Sequence, residues 1–194
     1  MLVGIREATV GDSQAIATIH VDSWQAAYRG ILPDAYLANL TVAQRSEAWR
    51  KSIIAGRPRV LIAHADIPSD IPSDIQSATL SATPSDAAET ILGWVAFGDS
   101  RDGDKDHRWG EVETLYIAPW CWRKGIGRIL IDAARHALRS AGYTDVALWV
   151  LLDNRRARAF YKRSGFVCDN SSRGVQLGGK WLTELRYCCP LGRT

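Results

Sequence analysis

Residues 117–130 read IAPWCWRKGIGRIL, an apolar run closed by proline and then interrupted by two glycines that lead straight into a helical pattern. Gly125 and Gly127 let backbone amides approach a ligand closely, and the unpaired N–H groups and dipole of a helix's first turn favour a phosphate. Arg123, Lys124 and Arg128 add positive charge to that turn. Neither the GxxxxGK[ST] phosphate loop nor the GxGxxG dinucleotide fingerprint occurs, so a phosphorylated ligand held by neither device is expected. Just upstream stand Glu111 and Glu113. Residues two apart on a strand share a face at about 7 Å, so these carboxylates are placed to share one site and raise each other's proton affinity. The alternative is that they pair with Arg101, Lys105 or Arg108 at the wet end of the strand. Cys121, Cys168, Cys188 and Cys189 show no ligand spacing, so the thiols read as reduced packing residues and no metal site is expected. His20, His64 and His136 likewise read as structural.

These groups need elements to hold them. A strand at residues 3–8 is followed by a helix from Ser13 to about Tyr28, with a short helical turn after Leu32 and Pro33. Thr41 and Gln44 have the spacing of a capping box, which opens a helix carrying Trp49 and ending near Gly56. Residues 59–65 and 91–97 read as an apolar strand pair. Between them, residues 66–90 repeat IPSD and contain no aromatic residue, which predicts a mobile low-complexity hairpin loop. Then the order becomes strand 110–118, helix 125–141 with Gly142 as its stop, strand 145–152, and a helix to Ser164 capped by Asp153 or Asn154. Ala157, Phe160 and Tyr161 face inward on that helix. The tail holds one or two further strands around Gly178 and Gly179. The expected fold class is α/β, one domain spanning residues 1–194, with a mixed, mostly antiparallel sheet flanked by helices and one βαβ crossover.

Composition sets the class. The 194 residues are 46% hydrophobic and 23% charged, enough for one core without disulfides. A net charge of +3 is too mild for a nucleic-acid binder, and no apolar run reaches the length of a membrane span. Arg6 and Glu7 stand where a signal peptide needs apolar residues, so a cytoplasmic protein with no nucleic-acid or membrane partner is expected.

The segments LYIAP, RKGIGRIL and DNRRARAFYKRSGF, in that order, resemble the GNAT superfamily of acetyl-CoA-dependent N-acetyltransferases. The front end HVDSWQAAYRGILPDAYL and the closing LGGKWLTELRYCCPL are similar to the family's as well. The resemblance implies a splayed central sheet with the pantetheine arm of CoA between two strands, and acetyl transfer to a primary amine in a ternary complex. It implies main-chain contacts from Leu115, Tyr116 and Ile117 to the pantetheine. The pyrophosphate would rest on the amides of Arg123, Lys124, Gly125, Ile126, Gly127 and Arg128, and Asn154, Ala157 and Tyr161 would complete the cofactor site. One departure is Trp122, where the family pattern usually has Gln or Arg.

Tyr161 occupies the place of the family's general acid, which would protonate the departing thiolate. An alkylamine with a pKa near ~10.4 must lose a proton before it attacks, and Glu111 and Glu113 are the candidate bases. Trp24, Tyr28 and Tyr36 are candidates to line the amine acceptor's pocket. By analogy the tail strands could pair across a homodimer. The competing reading is a non-catalytic acyl-CoA-binding module on the same fold.

Overall fold

The computed structural model describes residues 2–66 and 89–192. Most of the predicted 66–90 loop therefore lies outside the described residues. Strands β1 (Gly4–Glu7), β2 (Arg59–Asp66), β3 (Glu89–Asp99), β4 (Trp109–Ile117), β5 (Asp145–Leu151), β6 (Val167–Leu177) and β7 (Lys180–Pro190) form one sheet, in the order β1-β2-β3-β4-β5-β7-β6. Helices α1 (Ser13–Ala27), α2 (Asp34–Ala38) and α3 (Val42–Ala55) precede β2. Helix α4 (Ile126–Ser140) links β4 to β5, and α5 (Arg155–Arg163) follows β5. Among the described strands the one parallel pairing is β4 with β5, joined by the α4 crossover.

Local sequence explains the elements. Thr41 Oγ1 accepts the Gln44 N–H at 3.4 Å to start α3, and Gly56 ends it in the left-handed region. Helix α4 buries Ile126, Leu130, Ile131, Ala134 and Leu138, an i, i+4 stripe, and turns its arginines outward. The tail forms two eleven-residue strands, β6 and β7, joined at Gly178 and Gly179, both at positive φ. Tyr36 packs so closely on Gly178 that a Cβ there would meet the ring at 2.6 Å, which ties the hairpin tip to α2.

Two irregularities in β4 shape the site. The first is a bulge: Ala96 pairs with Thr114 but Phe97 pairs with Val112, so Glu113 is the extra residue. A bulge re-aims the side chains beyond it. A Cβ on Gly110 would point at Leu138 of α4, whereas Tyr116, six residues later, stacks on His20 of α1. Even-numbered side chains thus change face between those two positions, and Thr114 and Tyr116 look toward α1. The second is a splay. Strands β4 and β5 pair only through Trp109, Gly110 and Glu111 against Asp145, Val146 and Ala147. Beyond Glu111, β4 keeps β3 on one edge and, among the described residues, has no strand on the other.

Candidate active site

Strand alternation decides what β4 offers to the gap. The Ala118 N–H donates to Leu92 O at 2.9 Å across β3, so Tyr116, two residues back, exchanges its backbone hydrogen bonds with Trp94 opposite. Leu115 and Ile117 present their main chains to the open edge instead. The expectation that Tyr116 offers main-chain groups alongside them is corrected here: its backbone belongs to the β3 ladder. The Ile117 carbonyl is also engaged, accepting from Ser23 Oγ at 2.9 Å and from the Trp122 indole N–H at 2.8 Å. Its N–H is left facing the gap.

The turn after β4 ends in free amides. Pro119–Cys121 make a short 3-10 turn, Arg123 and Gly125 take positive φ of 64° and 84°, and α4 begins at Ile126. The N–H groups of Arg123, Gly125, Ile126 and Gly127 have no protein acceptor among the described residues. Four unpaired amides at a helix N-terminus form an anion cradle. A Cβ on Gly127 would come within 3.3 Å of the Phe160 ring, so glycine there lets α4 start close against α5. The Arg156 guanidinium lies 3.4 Å over the Trp122 ring. Burial lowers the Arg156 pKa, and Arg123 nearby adds to that. The Arg128 side chain turns away to Asp132 at 2.6 Å, leaving its turn to the charge of Arg123, Lys124 and Arg156. Trp122 thus ties the turn to the end of β4 through one bond and carries an arginine on its face.

Helix α5 carries Tyr161 within electrostatic reach of Tyr28 and of Tyr116 on β4. Asn154 Oδ1 accepts the Ala157 N–H at 3.1 Å as the helix cap, and the same side chain is in hydrogen-bonding reach of the Tyr28 hydroxyl. Ala157 is half-buried beside it. Tyr161 is 8% exposed and lies edge-on to Phe160 and Phe166 at 5.2 and 5.9 Å. Burial, reinforced by Tyr28, raises its pKa well above the ordinary tyrosine value. The hydroxyl makes no hydrogen bond to any described residue, so its proton is available to a ligand.

Both carboxylates meet one guanidinium. Glu111 is 2% exposed and is clasped by Arg101 through Nη2 at 2.5 Å, Nε at 3.2 Å and the backbone N–H at 3.0 Å. Glu113 touches Arg101 Nη1 at 3.1 Å. Burial raises the Glu113 pKa, Arg101 opposes this, and the Glu111 charge adds to it. The two carboxylates do share a site, and the arginine pairing weighed against that also occurs. Arg101 rides on a loop anchored by Arg186, which bonds Asp104 at 2.7 Å, Asp169 at 2.7 Å and Asp102 at 3.1 Å.

Trp24, Tyr28 and Tyr36 lie together, with ring centroids 5.1 and 6.4 Å from Trp24. Sequence reasoning left out two neighbours, His20 and the Tyr116 side chain, which stack at 4.9 Å. His20 lies one helical turn before Trp24 and two before Tyr28, a spacing that was readable. Arg101 was one of three basic candidates in the sequence, and only tertiary contact selects it over Lys105 and Arg108 as the partner of both glutamates. His64 pairs with Glu89 at 3.2 Å. All four cysteines are free thiols, and burial pushes Cys121 up to about 12. Among the described residues no group of three His, Cys, Asp or Glu side chains is placed to hold a metal, and no helix is long and apolar enough to cross a membrane.

Residues 64–166 match the family model described as the acetyltransferase (GNAT) family. The chain is 26% identical over 153 residues to the uncharacterized N-acetyltransferase YuaI of Bacillus subtilis (strain 168), covering 79% of this chain and 74% of that protein. Its fold is similar to that of PaiA N-acetyltransferase from Thermoplasma acidophilum, solved in complex with coenzyme A. There the TM-score is 0.67 at 19% identity, over 95% of this chain and 98% of that one. YncA from Salmonella typhimurium, a putative acetyltransferase solved with acetyl-CoA, superposes with a TM-score of 0.64 at 19% identity, over 99% and 95% of the two chains.

Proposed function

Since the chain belongs to the acetyltransferase (GNAT) family, we propose that it moves the acetyl group of acetyl-CoA directly to the primary amine of an acceptor, both substrates being bound at once. The observation that carries this reading is the free edge of β4 running into four unpaired amides, with the Tyr161 hydroxyl unbonded and in electrostatic reach of Tyr116 on that strand. The amides of Arg123, Gly125, Ile126 and Gly127 would take the pyrophosphate, with Lys124, Arg123 and Arg156 supplying charge. Leu115 and Ile117 would pair with the pantetheine arm as a missing strand would, and the Ile117 N–H would polarise the thioester carbonyl. Asn154 and Ala157 would flank the arm.

In the reaction, Glu113 accepts a proton from the acceptor ammonium, directly or through water, and the freed amine attacks the thioester carbon. The C–N bond forms, the C–S bond breaks, and Tyr161 protonates the departing thiolate. The amide nitrogen loses its second proton as the tyrosine is restored, so one proton leaves to solvent overall. Glu111, held by three bonds from Arg101, is assigned the part of fixing that arginine rather than of taking the proton.

The test is thermal unfolding with and without acetyl-CoA, followed by thiol release with a panel of amines. Ligand at about 100 times its Kd stabilises by about 2.7 kcal/mol, roughly 5 to 10 °C for a domain of this size. No shift at millimolar acetyl-CoA would remove the reading. A shift with no turnover of any amine would favour a non-catalytic acyl-CoA-binding module instead.

A further inference from the structure

We infer that the acceptor amine carries a carboxylate, received on the α1-facing side of β4 by the N–H groups of His20 and Trp24 and by Arg45. The inference rests on the acetyl-transfer reading above and narrows its substrate class.

His20 is 5% exposed, and its Nδ1 accepts the Trp49 indole N–H at 3.2 Å. The ring's remaining proton must therefore lie on Nε2, a buried donor with no hydrogen-bond partner. Burial, with a smaller push from Arg45, lowers this histidine's pKa to about 3, so the ring stays neutral and keeps that donor. Trp24, with its ring 5.4 Å away, has a second buried N–H, which approaches the Tyr116 hydroxyl without reaching hydrogen-bond geometry. The Thr114 hydroxyl, on the same face of β4, is a third buried group without a partner. Thr90, the other such hydroxyl among the described residues, lies apart, paired in register with Ala65 on β2. The Arg45 guanidinium stands 5.7 Å over the Trp24 ring, and among the described residues it makes no ion pair.

A buried donor without an acceptor is costly, and such groups are kept where something else supplies the acceptor. Two neutral N–H groups and a guanidinium have no lone pair to offer, so they call for a group that only accepts. One unpaired cation matches a single negative charge, which favours a carboxylate over a doubly charged phosphate. Tyr28 and Tyr36, packed on Trp24, are left to the rest of the acceptor. Tyr116, stacked on His20, immediately precedes Ile117, whose N–H faces the gap. The donors therefore lie beside the end of β4 at which the amine would attack.

The experiment compares thiol release from acetyl-CoA with matched acceptor pairs: α-amino acids with aliphatic, aromatic and polar side chains, each against its decarboxylated amine. Thermal shift with acetyl-CoA is measured in parallel. The expected result is a kcat/KM at least about 100-fold higher for the carboxylate member of at least one pair. Arg45→Met should remove most of that preference by raising KM, while its acetyl-CoA thermal shift matches the unmodified protein's. Equal or better turnover of the decarboxylated amines overturns the inference and leaves acetyl transfer standing. So does failure of every amino acid in a protein that acetyl-CoA stabilises. Absence of any acetyl-CoA shift is the failure of the underlying reading, and takes the inference with it.

Discussion

Tyr161 and Glu113 hold opposite ends of the proposed proton balance, and in both cases burial sets the direction. A buried phenol whose pKa is raised stays protonated across the neutral range, so it holds the proton that the departing thiolate takes up. Tyr161→Phe should therefore lower kcat by about 100-fold or more while the acetyl-CoA thermal shift is retained; unchanged turnover would take the tyrosine out of the mechanism. Glu113 must be ionised to accept a proton, and its pKa is raised above the ordinary carboxylate value. The rate should accordingly fall as pH drops through that raised value, and Glu113→Gln should depress kcat/KM and erase the acidic limb. A pH profile of the variant parallel to that of the unmodified protein would shift the role elsewhere. These residue types and their spacing were visible in the sequence. The Arg101 that binds both glutamates was not singled out from the three basic residues of its loop, because which of them reaches β4 depends on how the loop folds back.

At the level of elements, two short segments hold the site in shape. The turn between β4 and α4 needs Gly125 at φ 84°, a left-handed conformation that costs an L-residue about 1–2 kcal/mol. Gly125→Ala is expected to destabilise by that amount and to weaken acetyl-CoA binding more than acceptor binding, as a Kd series would show. The second segment is the loop from Ser100 to Arg108, anchored by Arg186 against Asp102, Asp104 and Asp169. Removing the cation leaves carboxylates facing one another. Arg186→Met should lose about 3 kcal/mol in a denaturant titration, and should reduce turnover because Arg101 rides on that loop. Stability near that of the unmodified protein would show that the loop is held by other contacts. The helix limits, the Thr41 cap and the hairpin glycines were legible as local signals. The bulge at Glu113 was not, since it is defined by the register of β3 against β4 and by nothing within β4 itself.

Across the whole molecule, α1 and α3 close one face of the sheet and bury a histidine that cannot charge there. Its folded pKa of about 3 lies below the ordinary 6.5, so the unfolded chain binds a proton that the folded one refuses. Nothing is lost above pH 6.5; stability declines as pH falls from there toward 3, by roughly 3 kcal/mol at pH 4. Tm measured over that window should fall more steeply in the unmodified protein than in His20→Asn, and equal slopes would mean that His20 takes up its proton in the fold. The order of strands and helices, the glycine turn, a cap at Asp153 or Asn154 for α5 and the family were all determined by the sequence, because periodicity, caps and turn chemistry act over a few residues. Only the tertiary structure decided that β4 and β5 part after Glu111, that Tyr116 gives its backbone to β3, and that His20 joins the aromatic wall. Each of these depends on which distant strand or helix lies alongside, and that is settled by packing and register between segments far apart in the chain.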